Sequence, residues 1–558
     1  MGESQALPVR GLVVALLTLA ACPGQGPERI GEAPSWRRTA PRAGAVAGPV
    51  TFAPASEPAS RYNETPQPAP RSPLNDAVIA AVQDAALRAG LRLPVPDARL
   101  FRACAELAEV VPEEGIVGYT LVEFALQRNG IIEPSPHLLV VWGAIDAPRP
   151  IVEQLQPRLA EILADGATAR VGVGAARRNP DGTGVVVFAL QGSGVSTAPI
   201  QREVSVGGSV VVDAIVDPHY HDPEMFVTRD DGSTQRLELR PGRPNGFVSQ
   251  IACGMHRGRQ QVEITASDAA GSTVLANFPL WCGMAPPTSV TVDPAHDDVP
   301  AATPEEAERR VLASVNHDRV AAGLPALLWD DRVAEVARSH SEEMRRTHVV
   351  AHISPTTGSA ADRVRAASIR TGVVLENVAR AYGVNEAYQG LMNSPGHRAN
   401  IMSGVATHIG IGVVFGEEVS GRREMFITQV FIRVPPKLDR PGALETVRQK
   451  LVAVRPALVH QPQLTALAQQ VADALAAGQP RDQAYQRTRR QLDGYGRSYQ
   501  RISSVITATA DLDAIDGAGL LGDAVADEVG IGIAQGPHAD LGDNAIWIVL
   551  LLANKRPP

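Results

Sequence analysis

The sequence predicts a multidomain α+β protein in which one unit, helices followed by an antiparallel sheet, occurs three times, with a small all-β domain between the first unit and the second. Three observations predict it. A chain of 558 residues is too long for a single core. Segments recur at constant offsets: "RAGLRLPVPDARLFRACAEL" from Arg88 matches "AAGLPALLWDDRVAEVARSH" from Ala321, and "TARVGVGAARRNPDGTGVVVFAL" from Thr168 matches "ATHIGIGVVFGEEVSGRREMFITQVF" from Ala406. Between the first two units the texture changes to short period-two runs separated by Asp-Gly and Ala-Gly turns, as in "EMFVTRDDGSTQRLEL".

At the N-terminus, Arg10 precedes the apolar run "GLVVALLTLAAC", too short to span a bilayer and suited to a signal segment. Leu19-Ala20-Ala21-Cys22 resembles the lipobox of bacterial lipoproteins, which implies cleavage after residue 21, acylation of Cys22 and a membrane-tethered mature chain facing the periplasm or exterior. An ordinary cleaved signal peptide is the alternative. Residues 23–74, rich in Pro, Ala, Ser and Arg with no hydrophobic period, read as a flexible tether. A net charge of -8 provides no global basic surface, so nucleic acid is not an expected partner.

The units are expected at 75–193, 304–434 and 441–556. The third is marked by "QLTALAQQVADAL" from Gln463 and "DEVGIGIAQGPHADLGDNAIWIVLLLA" from Asp527. In each, helices come first and a hairpin of two alternating strands follows. Residues 195–286 read as a β-sandwich. In an oxidising compartment Cys253 and Cys282, both in that strand-rich region, are the natural disulfide pair. Cys104 shares a helical stripe with Leu100, Leu107 and Val111 and reads as a buried, inert thiol. "HYH" at His219–His221 suits a polar loop better than a metal site.

The polar residues concentrate in the middle unit. "VNHDRVAAGLPALLWDDRVAEVARSHSEEM", "AHISP", "LENVA", "LMNSPGHRANIM", "HIGIGVVF" and "FITQVFI" resemble, in order, the CAP superfamily (cysteine-rich secretory, antigen 5, pathogenesis-related 1; also SCP) in its bacterial cysteine-free form. The resemblance implies a three-layer α-β-α sandwich with a cleft. It also implies two cleft histidines with acidic partners, reported in some members to hold a divalent metal such as zinc. By motif these are His352, Glu376 and His397. The eukaryotic branch places a second glutamate after its tryptophan-tyrosine-asparagine stretch; here Ser394 stands there, with Leu391 at the usual tryptophan.

Ser394-Pro395 reads as a helix start, an N-cap hydroxyl followed by proline, which sets His397 in the first turn and favours its neutral form. His340 lies on the stripe Val333, Val336, Ala337, His340, Met344 and reads as a packed residue beneath the cleft. Asn316, Arg319, Arg398 and Asn400 suit hydrogen-bonding roles that fix loops. The flanking units lack this polar set: at constant offset His340 becomes Leu107 and Val471, and His352 becomes Tyr119 and Gln483. The histidines therefore read as functional in the middle unit, while the flanking units read as scaffolding or binding modules. Two functions follow. One is capture of a lipid, peptide or cell-wall fragment in the cleft. The other is hydrolysis of a peptide or ester by a metal-bound water or by histidine and Glu376; no serine or cysteine shows a nucleophile motif.

Overall fold

The computed structural model describes residues 49–556 apart from 65–67, 112–116, 164–167, 293–298, 420–421, 435–436, 497 and 523, together with the short strands Thr18–Ala20 and Glu28–Arg29. Cys22 lies outside the described residues.

Three regions build their sheets in the same strand order. In the middle region the order is Leu328–Trp329, His408–Val419, Arg422–Ile432, Val374–Ala381. The first region runs Val95–Pro96, Thr168–Arg177, Thr183–Gly192, His137–Ala144, and the third runs Val459–His460, Glu528–His538, Gly542–Lys555, Tyr499–Thr509. The hairpin expected in each is therefore flanked by two further strands, one a two-residue parallel edge and the other antiparallel to the hairpin's second strand.

The central strand of each sheet sends apolar residues to both faces because both faces are covered, with Thr428 and Gln429 in the middle region buried as hydrogen-bonded exceptions. In the middle region Met425, Ile427 and Phe431 join the cluster containing Val311, Val315 and Leu391, while Val430 and Ile432 join Val333, Val336 and Ala337. Phe188 and Leu190 against Val187 and Ala189, and Ile548 and Leu550 against Val549 and Leu551, divide in the same way. Period-two side-chain alternation sends neighbouring residues to opposite faces, so a strand buried on both sides loses its polar alternate.

A helix crosses each hairpin at very short range. In the middle region this helix is Asp331–Thr347. Asp330 caps it by accepting from the Arg332 and Val333 amides, and it ends at His348 in the left-handed conformation. A Cβ on Gly410 would fall 2.2 Å from Ala334 N, and one on Gly412 2.1 Å from Arg338 N. Gly172 and Gly174 meet the helix Ala98–Val110 in the same way, and Gly530 and Gly532 meet Pro462–Ala476. The Gly-x-Gly of each first hairpin strand is thus the footprint of helix backbone on sheet backbone.

The β-domain between the first two regions stacks Ser209–Val216 and Gly246–Ala252 over His221–Thr228, Gly258–Asp268 and Gly271–Cys282 around one apolar core. Cys253 and Cys282 are bonded with their Cα atoms 5.5 Å apart, and Cys104 is free and buried. Thr18–Ala20 runs parallel to both Gly271–Cys282 and Val374–Ala381, pairing Ala20 with Thr273 and Val378.

The tether expected over 23–74 needs correction at its C-terminal end. Val50–Phe52 pairs with Val290–Val292 and Arg61–Tyr62 with Ile200–Gln201, while Phe52 and Tyr62 are buried. The Tyr62 hydroxyl donates to Pro279 O, and Arg128 donates to the carbonyls of Pro54 and Ser56. Two aromatic anchors, too sparse to register as a period, are enough to strap this segment down. The following helix begins at Pro73, capped by the Ser72 side chain.

Gly412→Ala should destabilise the protein by about 3 kcal/mol or prevent folding, because neither backbone can yield. Gly404→Ala, where a Cβ meets nothing within 4 Å, should be close to neutral. Thermal unfolding of both variants checks this; equal effects would refute the close-approach account.

Candidate functional site

His352 lies in the loop beyond helix Asp331–Thr347, Glu376 on the strand Val374–Ala381, and His397 in the first turn of the helix Pro395–Ile401. All three are 0% exposed. His352 Nδ1 is 2.8 Å from Glu376 Oε1, and Arg363 donates to Glu376 Oε2 at 2.5 Å. Burial opposes ionisation of Glu376, but the Arg363 guanidinium and the His352 ring outweigh it and hold the carboxyl at about 2. His397 sets its Nδ1 2.5 Å from Ser394 Oγ.

Ser394 is the N-cap residue by backbone position, but its side chain makes no cap hydrogen bond. The hydroxyl is directed instead to Glu263 Oε2, while Glu263 Oε1 accepts from the Gly396 amide at 2.9 Å. Glu263 comes from the β-sandwich strand Gly258–Asp268 and is wholly buried. Burial pushes its carboxyl up to about 7, against the pull of the Ser394 and Gly396 hydrogen bonds. Sequence reasoning missed this residue; the one trace of it was the serine standing where the resemblance implies an acid.

Other contacts dock the sandwich at the same place. The amides of His352 and Ile353 donate to Ala270 O, Asn277 Nδ2 donates to Asn393 O, and Arg398 Nε donates to Gly232 O. The cleft is therefore covered by the neighbouring domain. Beneath it Asn400 Nδ2 donates to Glu376 O and Asn377 Oδ1, and Asn377 Nδ2 to His397 O and Gln429 Oε1, which fixes the strand against the helix. Arg319 donates to the carbonyls of Pro325, Ile401 and Ser403, and Asn316 clasps Leu327 through both amide groups. His340 is buried, with Nε2 2.8 Å from Ala351 O and Nδ1 3.7 Å from Glu343 Oε2; burial lowers its pKa. His219 and His221 are exposed beside Asp268 and Asp222.

The residues fit a divalent metal poorly. His352 Nε2 is a buried nitrogen with no hydrogen-bond partner among the described residues, as a ligand atom would be. Glu376, however, already neutralises Arg363, whose cation lies where a metal's charge would be opposed. No group of three or more His, Cys, Asp or Glu side chains among the described residues is placed to hold a metal ion.

Residues 312–431 match the cysteine-rich secretory protein family, CAP, and this segment of the chain is a CAP domain. The chain is 37% identical over 107 residues to an uncharacterized membrane protein, YlbC, of Bacillus subtilis (strain 168), and 35% identical over 108 residues to the uncharacterized protein YkwD of the same organism. Each match covers 19% of this chain, and 31% and 42% of those relatives. Among solved structures, an extracellular SCP-domain protein from Bacillus anthracis str. Ames aligns at 18% identity over 49% of this chain and 92% of its own, with a TM-score of 0.21. No helix among the described residues is long and apolar enough to cross a membrane.

The raised Glu263 carboxyl sets a pH dependence of unusual sign. In the folded protein the group keeps its proton up to about pH 7, whereas in the unfolded chain it releases it near the ordinary 4.5. The stability it contributes is present below about pH 4.5 and is lost as pH rises through 7. Relative to Glu263→Gln, wild type should lose up to about 3 kcal/mol across that window. Denaturant unfolding at several pH values checks this; parallel curves for the two proteins would exclude a raised Glu263.

Proposed function

We propose that this chain is a binding protein of the bacterial cell envelope, tethered through Cys22. Its CAP domain and sandwich together hold a ligand rich in hydrogen-bond donors, a cell-wall fragment or extended peptide in preference to a lipid. The three strand-order-matched regions suggest one duplicated unit, of which only the middle one carries the histidines. Cleavage before Cys22 would also remove Thr18–Ala20 from between the two strands it pairs with.

One observation carries the reading. A cavity of about 50 Å³ opens at Ser394, where the first unit, the sandwich and the CAP domain meet, and Glu123, Ser135, Asn277, Arg380 and Glu386 contribute polar groups to its lining. A cavity of that size takes a small group of a ligand and not a whole lipid molecule. Burial raises the Glu123 carboxyl even though Ser135 and Gln127 donate to it.

The same geometry argues against hydrolysis. Ser394 is 4% exposed, with its hydroxyl committed to the contact between Glu263 and His397, so it is not open to a substrate carbonyl. Glu376 is fully buried, with one oxygen engaged by His352 and the other by Arg363, so it is not placed at an open surface as a general base for water.

Titration calorimetry of the purified protein with soluble muropeptides and with phospholipid vesicles, each with and without added zinc, tests the reading. Muropeptide binding should be independent of zinc and weakened at least about tenfold by Glu123→Ala, which removes a polar group from the cavity lining. Binding to vesicles alone, or binding that requires zinc, would reject it in favour of the lipid or the metal reading.

A further inference from the structure

The carboxylate that the CAP segment lacks at Ser394 is present in space, supplied by another domain. We propose that Glu263 is a positioning residue that acts through Ser394 to hold His397 as its Nδ1–H tautomer. The two buried imidazoles then share one tautomer only while the sandwich is docked on the CAP domain.

The argument is one of proton counting. A hydroxyl carries a single proton, and once Glu263 is ionised the Ser394 proton goes to Glu263 Oε2. The Ser394 oxygen can then only accept from His397 Nδ1, 2.5 Å away, so that nitrogen carries the ring proton and Nε2 is left as the basic atom. The other Glu263 oxygen accepts from the Gly396 amide, a second bond that holds the carboxylate against the start of the His397 helix. His352 is held in the same state by a shorter route. Glu376 Oε2 is taken by Arg363, and Oε1 accepts from His352 Nδ1, so that His352 Nε2 is also an acceptor.

Two imidazoles are thus oriented alike by two carboxylates, one from the same domain acting directly and one from the neighbouring domain acting through a hydroxyl. His352 Nε2 is buried with no hydrogen-bond partner among the described residues, which suits a ligand that presents an N–H or O–H group. The backbone bonds from His352 and Ile353 to Ala270 O, and the side-chain bond from Arg398 Nε to Gly232 O, hold the sandwich beside both histidines, so the docking that brings Glu263 is specific to this site. Only the identity of the group received rests on the binding reading above; the tautomer does not.

Nitrogen-15 NMR of the full chain labelled at histidine, with His397 assigned by His397→Asn, reads the tautomer directly. At pH 8, where Glu263 is ionised, wild-type His397 should carry its proton on Nδ1. In Glu263→Gln the amide donates to Ser394 Oγ, the hydroxyl turns to Nδ1, and His397 should shift to the Nε2–H form while His352 is unchanged. Glu263→Ala combined with Ser394→Glu, which moves the acid into the CAP domain, should restore Nδ1–H. Should Glu263→Gln fail to fold, Ser394→Ala reads the same loss of the relay. An Nε2–H ring in wild type, or Nδ1–H persisting in Glu263→Gln, would overturn the proposal, including the case in which the variant lowers Tm without moving the tautomer. Failure of muropeptide binding leaves this result standing and counts only against the binding reading.

Discussion

Burying a carboxylate at a boundary between domains is costly, and the arrangement around His397 depends on how that cost is met. Glu263 receives one hydrogen bond from a side chain and one from a backbone amide, both from the CAP domain, and its carboxyl is still raised to about 7. A surface glutamate at the same strand position would have water in place of those donors; here they come from the CAP domain, beside the bonds from His352, Ile353 and Arg398 that also hold the sandwich over the cleft. The docked position, the covered histidines and the state of the His397 ring follow from satisfying this one group.

Packing supplies most of the remaining framework. Helix backbones cross each sheet on paired glycines, and the central strands send apolar residues to both faces, so the framework persists in the flanking regions where Leu107 and Val471 replace His340. The middle region could therefore specialise a polar pocket on a fold already fixed by packing. Glu376 belongs to that framework as well as to the site: Arg363 and His352 hold its carboxyl at about 2, so it is ionised at every physiological pH.

Much of this was legible in the sequence because it is periodic or local. The glycine-containing hairpins and the start of the His397 helix at Ser394-Pro395 are visible within short windows, and the pairing of Cys253 with Cys282 follows from their shared β region, whereas the strands expected to alternate prove apolar toward both faces because helices cover both. Glu263 was not legible, since it lies 131 residues from its partner on a strand of another domain and no spacing rule links them. The strap at 49–64 escaped notice for a related reason: Phe52 and Tyr62 pack as isolated anchors against distant strands, with no repeat to betray them. The role of Ser394 was misjudged because its local context, a hydroxyl before Pro395, describes an N-cap equally well.

A double-mutant cycle between Glu263 and Ser394, measured by unfolding of wild type, Glu263→Ala, Ser394→Ala and the double variant at pH 8, tests the central claim most directly. The account predicts a coupling free energy of about 1–3 kcal/mol, the range for a buried hydrogen bond to a charged group. Strictly additive single effects would show that the two residues do not interact across the domain boundary and would contradict the composite site.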